Sequence, residues 1–342
     1  MTLTAKLVAL VPALQRLRQS IGTLNHKVGE LRSEQERLAA ELSQVVRQLA
    51  SQGAASPELP VADTSAAPLF VPPGHYYSPI VRPADLARQD FLGQRASDRF
   101  LGINVNYPAM TVLFGLLMDA NGAHGFPVTQ DPAHRYFSAN EMYGPGDAMI
   151  LAAMLRHFRP RRWIEVGSGF SSAALLDTLD DTEGLLTEVT FIEPNPERLD
   201  ALLRDADRAR ATVMQRAIQD VPLTVFDSLA AGDVLFLDTT HVSKTGSDVN
   251  HEFFQVLPRL ASGVIIHLHD IFGDFEYPSE WVVQQNRSWN EQYLLRAFLM
   301  YNREFEVLYA NDGFARAHPD LIRARCPAIL ANPGGGFWMR KL

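Results

Sequence analysis

Residues 162–172 read RWIEVGSGFSS, and this stretch decides the fold class. An apolar segment of strand length runs from Arg162 to Val166, and Gly167 and Gly169 follow it at once. A helical pattern then begins at Ser171. Glycines in such a turn permit a tight backbone and let its amide groups approach a ligand closely. The stretch therefore predicts a strand, a turn suited to ligand binding and a helix in direct succession.

The same alternation of strand and helix continues to the end of the chain. Further apolar runs of strand length are 189–193, 212–215, 233–238, 263–269, 305–309 and 336–340. Helical patterns cover 146–158, 171–179, 196–208, 251–260 and 290–301. Alternation of this kind predicts right-handed crossovers and a parallel sheet with helices on both faces. We expect an α/β fold with a Rossmann-like, doubly wound seven-stranded sheet, its last strand antiparallel in a closing hairpin at the edge.

The first fifty residues carry a different pattern. Apolar residues recur in steps of three and four from Leu7 to Leu49, and only Gln35 interrupts the register. Such a heptad repeat predicts a coiled-coil oligomerisation helix over 1–50, through which the protein would self-associate. A long amphipathic helix folded back on the globular part is the alternative, and Pro12 favours it a little.

The remaining boundaries follow from composition. Residues 51–74 are rich in Ala, Ser and Pro and predict a flexible linker. Residues 75–140 form a mixed segment that we interpret as an N-terminal cap or lid, and residues 141–342 form the sheet domain. Two aromatic stretches, HYYSP at 75–79 and FEYPSEW at 275–281, would either cover a bound acceptor as a lid or serve packing alone.

Charge and composition exclude several classes of protein. The 342 residues hold 31 Lys and Arg against 39 Asp and Glu, a formal charge of -8 that makes nucleic acid a poor partner. Cys326 is the single cysteine, so no internal disulfide forms, which fits a reducing compartment. No run approaches about 18 apolar residues, so no membrane span is expected, and no signal peptide is recognisable. We expect a cytoplasmic protein.

Ligands of such sheets bind beyond the carboxyl ends of the strands. The glycine turn lacks the third glycine of a dinucleotide fingerprint, because residue 172 is serine. Glu165, just before the glycines, would repel a diphosphate and attract a cationic ligand. Glu193 ends the next strand, where a carboxylate can accept both hydroxyls of a ribose. A plain structural turn and a solvated charge at a strand end are the alternatives.

Two further groups follow the fourth and fifth strands. They are DTTH, from Asp238 to His241, and HLHD, from His267 to Asp270. The two strand ends are neighbours in a doubly wound sheet, so two carboxylates and up to three imidazoles would meet. Oxygen-rich sites with one or two histidines suit Mg²⁺ or Mn²⁺ better than Zn²⁺. Which histidine is a ligand and which a base stays open, while His267 is expected to be buried and structural.

Together EVGSG at 165–169, Glu193, LFLDTTH at 235–241 and HLHD at 267–270 resemble a class I S-adenosylmethionine-dependent methyltransferase. More narrowly, the chain is similar to the branch that holds metal-dependent macrolide-sugar O-methyltransferases and cephalosporin hydroxylase-like proteins. The resemblance covers about 140–342. In that branch the end of strand five usually carries two acidic residues, and here the first of them is His269.

The resemblance implies a set of roles. It implies S-adenosylmethionine as the cofactor, a small molecule or glycan as the methyl acceptor, and O-methylation as the reaction. The implied cofactor-binding residues are Glu165, Gly167, Ser168, Gly169, Glu193, Asp220 and Asp238, with Asp220 facing the adenine amino group. The implied ligands of Mg²⁺ or Mn²⁺ are Asp238, His269 and Asp270. His241 or His269 would then take the proton of the attacking hydroxyl.

Two other classes of function are compatible with parts of the sequence. A nicotinamide-dependent oxidoreductase would use a similar sheet, but Glu165 and the missing third glycine count against it. A non-catalytic scaffold would have the coiled coil as its function, and the acidic and histidine positions at the strand ends count against that.

Overall fold

A computed structural model of the chain describes residues 27, 37, 70–82, 86, 100–122 and 124–342. The chain separates into two compact units, 1–69 and 70–342. The predicted coiled coil at 1–50 and most of the predicted linker at 51–74 lie outside the described residues. Among the helices of the described part, none is both long enough and apolar enough to cross a membrane.

The second unit contains one seven-stranded sheet. Its strands are β1 (Arg162–Val166), β2 (Glu188–Ile192), β3 (Ala211–Met214), β4 (Val234–Leu237), β5 (Ile265–Leu268), β6 (Phe305–Ala310) and β7 (Phe337–Lys341). Their order is β3-β2-β1-β4-β5-β7-β6. The first five strands are parallel, and β7 is antiparallel to both β5 and β6. This confirms the predicted sheet and its antiparallel last strand.

Helices connect the strands and precede the sheet. They are α1 (Tyr107–Asn121), α2 (Pro145–Phe158), α3 (Phe170–Asp180), α4 (Glu197–Leu202), α5 (Asp205–Arg210), α6 (Thr224–Asp227), α7 (Asp248–His251), α8 (Glu291–Leu299), α9 (Asn311–Ala317) and α10 (Pro319–Arg325). Helix α7 runs on into a π-helical turn, Glu252–Val256, and a 3₁₀ turn, Leu257–Arg259.

Burial on both faces of the sheet explains why the strands read as continuous apolar runs. All four residues of β4 and all four of β5 are buried. Trp163 of β1 stacks on Phe236 of β4 with ring centres 5.6 Å apart, and Trp338 of β7 packs edge-on against both. Parallel strands covered by helices need this pattern, because neither face meets water.

The segment before the sheet is fastened to it by a buried arginine. The guanidinium group of Arg135 donates to Asp177 on α3 at 2.7 Å and to Asp207 on α5 at 2.6 and 2.7 Å. All three side chains are buried. A buried charge is tolerated only when it is paired and hydrogen-bonded in this way, so removing Arg135 would leave the two buried carboxylates without their main partner.

Two sequence predictions need correction. The helix expected at 196–208 is broken at Leu203 and Arg204, which are extended, because the backbone N–H of Arg204 donates to the buried Asp207 at 2.8 Å. The hairpin of β6 and β7 does lie at the edge of the sheet, but its connection contains α9 and α10. β7 is the inner strand of the hairpin and β6 forms the edge.

Candidate active site

The turn after β1 needs glycine at its first position. Gly167 has φ 78°, and its N–H donates to the carbonyl of Ile192 at 3.0 Å, which ties the turn to β2. A Cβ at this position would overlap the carbonyl oxygen of Asp238. The turn is therefore pressed against the end of β4, where only a backbone without a side chain fits.

Glu165 lies beneath the turn. Its carboxylate accepts the hydroxyl protons of Ser171 at 2.7 Å and Ser172 at 2.6 Å, and the indole N–H of Trp163 lies 3.3 Å from the other oxygen. The side chain is completely buried, and burial raises its pKa to about 7. Glu165 does not line either of the cavities described below. It hydrogen-bonds to the first turn of α3 and holds it in place. Because Glu165 lies outside both cavity walls, the structure gives no support to the expectation that it contacts the cofactor.

Glu193 follows β2 and has a carboxylate that two backbone amides hold in place. The N–H of Ser168 donates to Oε2 at 3.0 Å, and the N–H of Asn195 donates to Oε1 at 2.8 Å. Each carboxylate oxygen can accept a further hydrogen bond, so the group remains able to bind two hydroxyls.

Two cavities meet at this edge of the sheet. The larger has a volume of about 530 Å³ and the smaller about 410 Å³. The residues that line both are Gly167, Glu193, Asp238, Thr239 and Thr240. The 3₁₀ turn at Ile218 and Gln219 contributes to the smaller cavity, whereas Asp220 is exposed and is not part of its wall. Together the two cavities form one bipartite site across the ends of β1, β2 and β4.

His241 is the centre of a charged cluster in the wall of the larger cavity. Its Nε2 lies 3.5 Å from Asp238 Oδ1 and 3.5 Å from Asp270 Oδ2, while Nδ1 lies 2.8 Å from Glu291 Oε2. The residue has φ 59°, and its ring packs against Trp289 with ring centres 4.5 Å apart. Glu291 fixes the ring so that Nε2 points to the two aspartates. The structure therefore brings together the strand ends that the sequence pairs.

His269 joins the same cluster from the other side. Its Nε2 lies 3.6 Å from Asp270 Oδ1, and its ring lies 5.1 Å from that of Tyr143. His267 is different: it is buried between Phe236, at 3.9 Å, and Trp338, at 4.4 Å. Burial lowers the pKa of His267 well below its ordinary value. The expectation that His267 is buried is confirmed.

Charges within the cluster shift its pKa values in opposite directions. Burial disfavours the cationic form of His241, but its contacts with Asp238 and Glu291 outweigh burial and raise its pKa well above the ordinary value. Burial would raise the pKa of Asp238, but the positive charges of His269 and His241 outweigh it and lower that pKa. The cluster thus favours imidazolium–carboxylate pairs in the absence of a ligand.

Asp147 is a member of the site that the sequence analysis missed. It lies in the first turn of α2, lines the larger cavity and accepts hydrogen bonds from the Gly336 N–H and the Asn311 amide, both at 2.8 Å. Burial raises its pKa to about 6. A helical pattern gives no sign that its first-turn carboxylate meets residues more than 160 positions away. The one signal that the sequence offered was an Asp within a helical pattern of mostly apolar residues.

Several buried polar atoms of the cavity walls have no partner among the described residues. They are the hydroxyl groups of Tyr143, Ser168 and Thr239 and Nδ1 of His269. Buried polar atoms in folded proteins are nearly always hydrogen-bonded, so these atoms mark places beside the cavity where an ordered water or a small side-chain movement would supply a partner.

The side chains at the strand ends are of the types that bind a hard divalent cation, but they are not spaced to surround one. Two carboxylates and an imidazole nitrogen are ligands that Mg²⁺ and Mn²⁺ accept. Within the described part of the chain, however, no group of three or more His, Cys, Asp or Glu side chains is positioned to hold a metal ion. Asp238 and Asp270 are thus candidate carboxylate ligands of a cation, His269 is the predicted third protein ligand, and the remaining ligands would come from outside the protein.

The chain is similar to a described protein family and to an archaeal protein. Residues 164–271 match a family described as "Methyltransferase domain". An uncharacterized protein of Archaeoglobus fulgidus is 31% identical over 165 residues, which cover 46% of this chain and 73% of that protein. The matched region 164–271 runs from β1 through β5 and contains the glycine turn together with Asp238, His241, His269 and Asp270 of the charged cluster.

Similar solved structures include two methyltransferases. The Podospora anserina methyltransferase PaMTH1, bound to SAH, is 16% identical and has a TM-score of 0.40, covering 68% of this chain and 88% of that chain. The O-methyltransferase TomG of Streptomyces achromogenes, in complex with SAM, is 16% identical and has a TM-score of 0.39, covering 63% of this chain and 91% of that chain.

The sheet, the glycine turn and the matched region define a methyltransferase. The chain belongs to the class I S-adenosylmethionine-dependent methyltransferases, in one family with the archaeal protein. It is therefore an enzyme whose methyl donor is S-adenosylmethionine. The alternative of a nicotinamide-dependent oxidoreductase loses its support.

Proposed function

We propose that this enzyme methylates a hydroxyl group of a small molecule or sugar held in the larger cavity. The observation that carries the proposal is the position of His241. Its Nε2 faces that cavity between Asp238 and Asp270, and its Nδ1 is fixed by Glu291 at 2.8 Å. A hydroxyl must lose a proton when its oxygen is methylated, and a fixed imidazole beside the acceptor can take it.

The smaller cavity would hold the adenosine part of S-adenosylmethionine, which when bound supplies the methyl group. Glu193 lines both cavities, and its backbone-held carboxylate would accept the ribose hydroxyls. The backbone of Gly167 to Gly169 would face the methionine part through close approach, since its three N–H groups already donate to Ile192, Glu193 and Ser172. Asp238, at the junction of the cavities, would lie beside the cofactor. The exposed Asp220 would reach the adenine only from the rim, next to Gln219 in the wall.

Proton transfer would fall to the histidines. His241 would accept the hydroxyl proton at Nε2, and Glu291 would stabilise the imidazolium that results. The carboxylates raise the pKa of His241 and favour its imidazolium form, so the ring must first lose its Nε2 proton, which a cation bound to Asp238 and Asp270 would promote by neutralising their charges. His269 would orient Asp270, and it is the second candidate for the base.

Metal assistance is a further part of the proposal. Asp238 and Asp270 would be the carboxylate ligands, with His269 as the third protein ligand. A bound Mg²⁺ or Mn²⁺ would lower the pKa of the acceptor hydroxyl. Two carboxylates that face one imidazole support this reading, and the absence of a complete three-ligand arrangement in the described residues weighs against a preformed site.

Transfer of tritiated methyl from S-adenosylmethionine to a panel of vicinal diols, run with and without a chelator, tests these proposals. We expect transfer to a hydroxyl oxygen, a loss of activity on chelation, and recovery with Mg²⁺ that Asp238→Asn and Asp270→Asn abolish. Asp320→Asn, on an exposed side chain of α10, is the matched control. Transfer only to nitrogen or carbon acceptors would refute O-methylation, and turnover unaffected by chelation would refute the metal.

A further inference from the structure

A guanidinium group lies in the corner between two indole rings in the wall of the larger cavity, and we call this arrangement the clamp. The rings of Trp281 and Trp289 stand at 78° to each other with centres 5.4 Å apart. The Cζ atom of Arg287 lies 4.3 Å from the ring centre of Trp281 and 4.6 Å from that of Trp289. The backbone N–H of Arg287 donates to the carbonyl of Trp281 at 2.9 Å, which closes the loop on itself. Cation–π contacts of this kind hold the head group of an otherwise flexible side chain in one place.

The clamp is joined directly to the charged cluster. Trp289 packs against His241 with ring centres 4.5 Å apart, and Trp281 meets Phe272 edge-on at 5.3 Å. All of these residues line the larger cavity. Arg287 is therefore held on the acceptor side of the site, one ring away from the proposed base.

Among the described residues, none accepts a hydrogen bond from this guanidinium. In the part of the chain that the structure describes, no carboxylate lies within ion-pair distance of Arg287, and its side chain makes no hydrogen bond. Other arginines, such as Arg135 before the sheet and Arg259 within the sheet domain, have carboxylate partners. A planar guanidinium offers five N–H donors in a geometry that matches a carboxylate.

Arg287 does not serve as a counter-ion for the acidic wall, because none of the described cavity carboxylates lies within ion-pair distance of it, and most of them have partners of their own. Asp312 accepts the N–H of Gly273 at 2.9 Å and pairs with Arg316. The others with partners of their own are Asp147, Glu193, Asp238 and Asp270.

We propose that Arg287 binds a carboxylate of the methyl acceptor, so that the acceptor is a hydroxy acid whose hydroxyl is presented to His241. This inference rests on the proposed O-methylation. The cavity wall carries six carboxylates, Glu141, Asp147, Glu193, Asp238, Asp270 and Asp312, against two guanidinium groups, Arg198 and Arg287. So acidic a wall suits an acceptor with one negative charge better than a phosphate with two.

Binding calorimetry on the full chain saturated with S-adenosylhomocysteine tests the assignment. The probes are a panel of vicinal-diol carboxylic acids, 3,4-dihydroxybenzoate among them, each paired with its neutral amide and with the corresponding phosphate monoester. We expect at least one acid to bind about tenfold or more tightly than its amide. Arg287→Gln should remove this preference, while Arg323→Gln, at an exposed position of α10, should keep it.

A merely structural clamp would give a different pattern, because loss of Arg287 would then lower the melting temperature and leave the acid-to-amide ratio unchanged. The proposal is overturned if no acid binds more tightly than its amide, if the preference survives in Arg287→Gln, or if the phosphate monoesters bind most tightly. Tritium transfer to the neutral amides distinguishes failure of this proposal from failure of the proposed O-methylation. Methylation of the amides would show that O-methylation is correct even where the carboxylate is not recognised.

Discussion

Replacement of Glu165 by glutamine should stabilise the protein at alkaline pH and destabilise it at acidic pH. Glu165 is fully buried beneath the glycine turn, where burial raises its pKa from 4.5 to about 7. A raised carboxyl pKa means that the folded state binds the proton more tightly than the unfolded state. The stabilisation from the protonated group is therefore complete below pH 4.5 and is lost as the pH rises through 7.

The magnitude follows from the size of the shift. Each unit of pKa difference corresponds to about 1.4 kcal/mol, so the wild-type free energy of unfolding should fall by about 2 to 3 kcal/mol from this group between pH 5 and pH 8. Glutamine does not ionise and avoids this loss. Its amide can still accept from Ser171 and Ser172 but cannot also accept from Trp163, which costs about 1 to 2 kcal/mol at every pH. The variant should be less stable than wild type at pH 5 and more stable at pH 8.

Urea unfolding followed by tryptophan fluorescence at both pH values measures this effect. All four tryptophans lie in the second unit, so the signal reports on the sheet. Glu197→Gln, at an exposed position of α4, is the control, and its free energy of unfolding should follow the wild-type pH profile. Parallel pH profiles for wild type and Glu165→Gln would refute the reasoning. A loss of S-adenosylmethionine affinity of about tenfold or more in the folded variant would instead favour direct contact with the cofactor.

Two further expectations concern the cofactor and assembly. Glu193→Ala should weaken S-adenosylmethionine binding by about 2 kcal/mol or more in calorimetry, because ribose hydroxyls and the Ser168 amide both lose their acceptor. Glu193→Gln should lose less, and unchanged affinity in a folded Glu193→Ala protein would remove the ribose assignment. A shortened chain beginning at residue 70 should remain folded but have fewer subunits than the full chain in light scattering. A full chain that is monomeric at micromolar concentration would contradict the coiled coil.

Most of the sheet could be predicted because its strands are buried on both faces. The predicted strand 162–166 coincides with β1. The predicted ends of the other strands lie within two residues of those in the structure. The break between α4 and α5 could not be predicted, because no Pro or Gly marks it. It depends on Asp207, which Arg135 and the Arg204 amide hold from outside the local pattern.

The site was predictable where it follows a strand and not where it depends on distant packing. Asp238, His241, His269 and Asp270 meet as expected, since parallel strands β4 and β5 end at the same edge. The sequence did not indicate that Glu291, on α8, fixes His241, or that Asp147 approaches from α2. The Arg287 clamp was missed for the same reason, because a loop brings its two tryptophans together.

The central claim is that His241 takes the proton of the acceptor hydroxyl, and one measurement tests it most directly. Initial rates of tritium transfer are compared for wild type and His241→Asn at saturating S-adenosylmethionine, and calorimetry gives the cofactor affinity of each protein. The account predicts that kcat falls by about 100-fold or more in His241→Asn while the cofactor Kd stays within about twofold. A folded variant with wild-type kcat would contradict it.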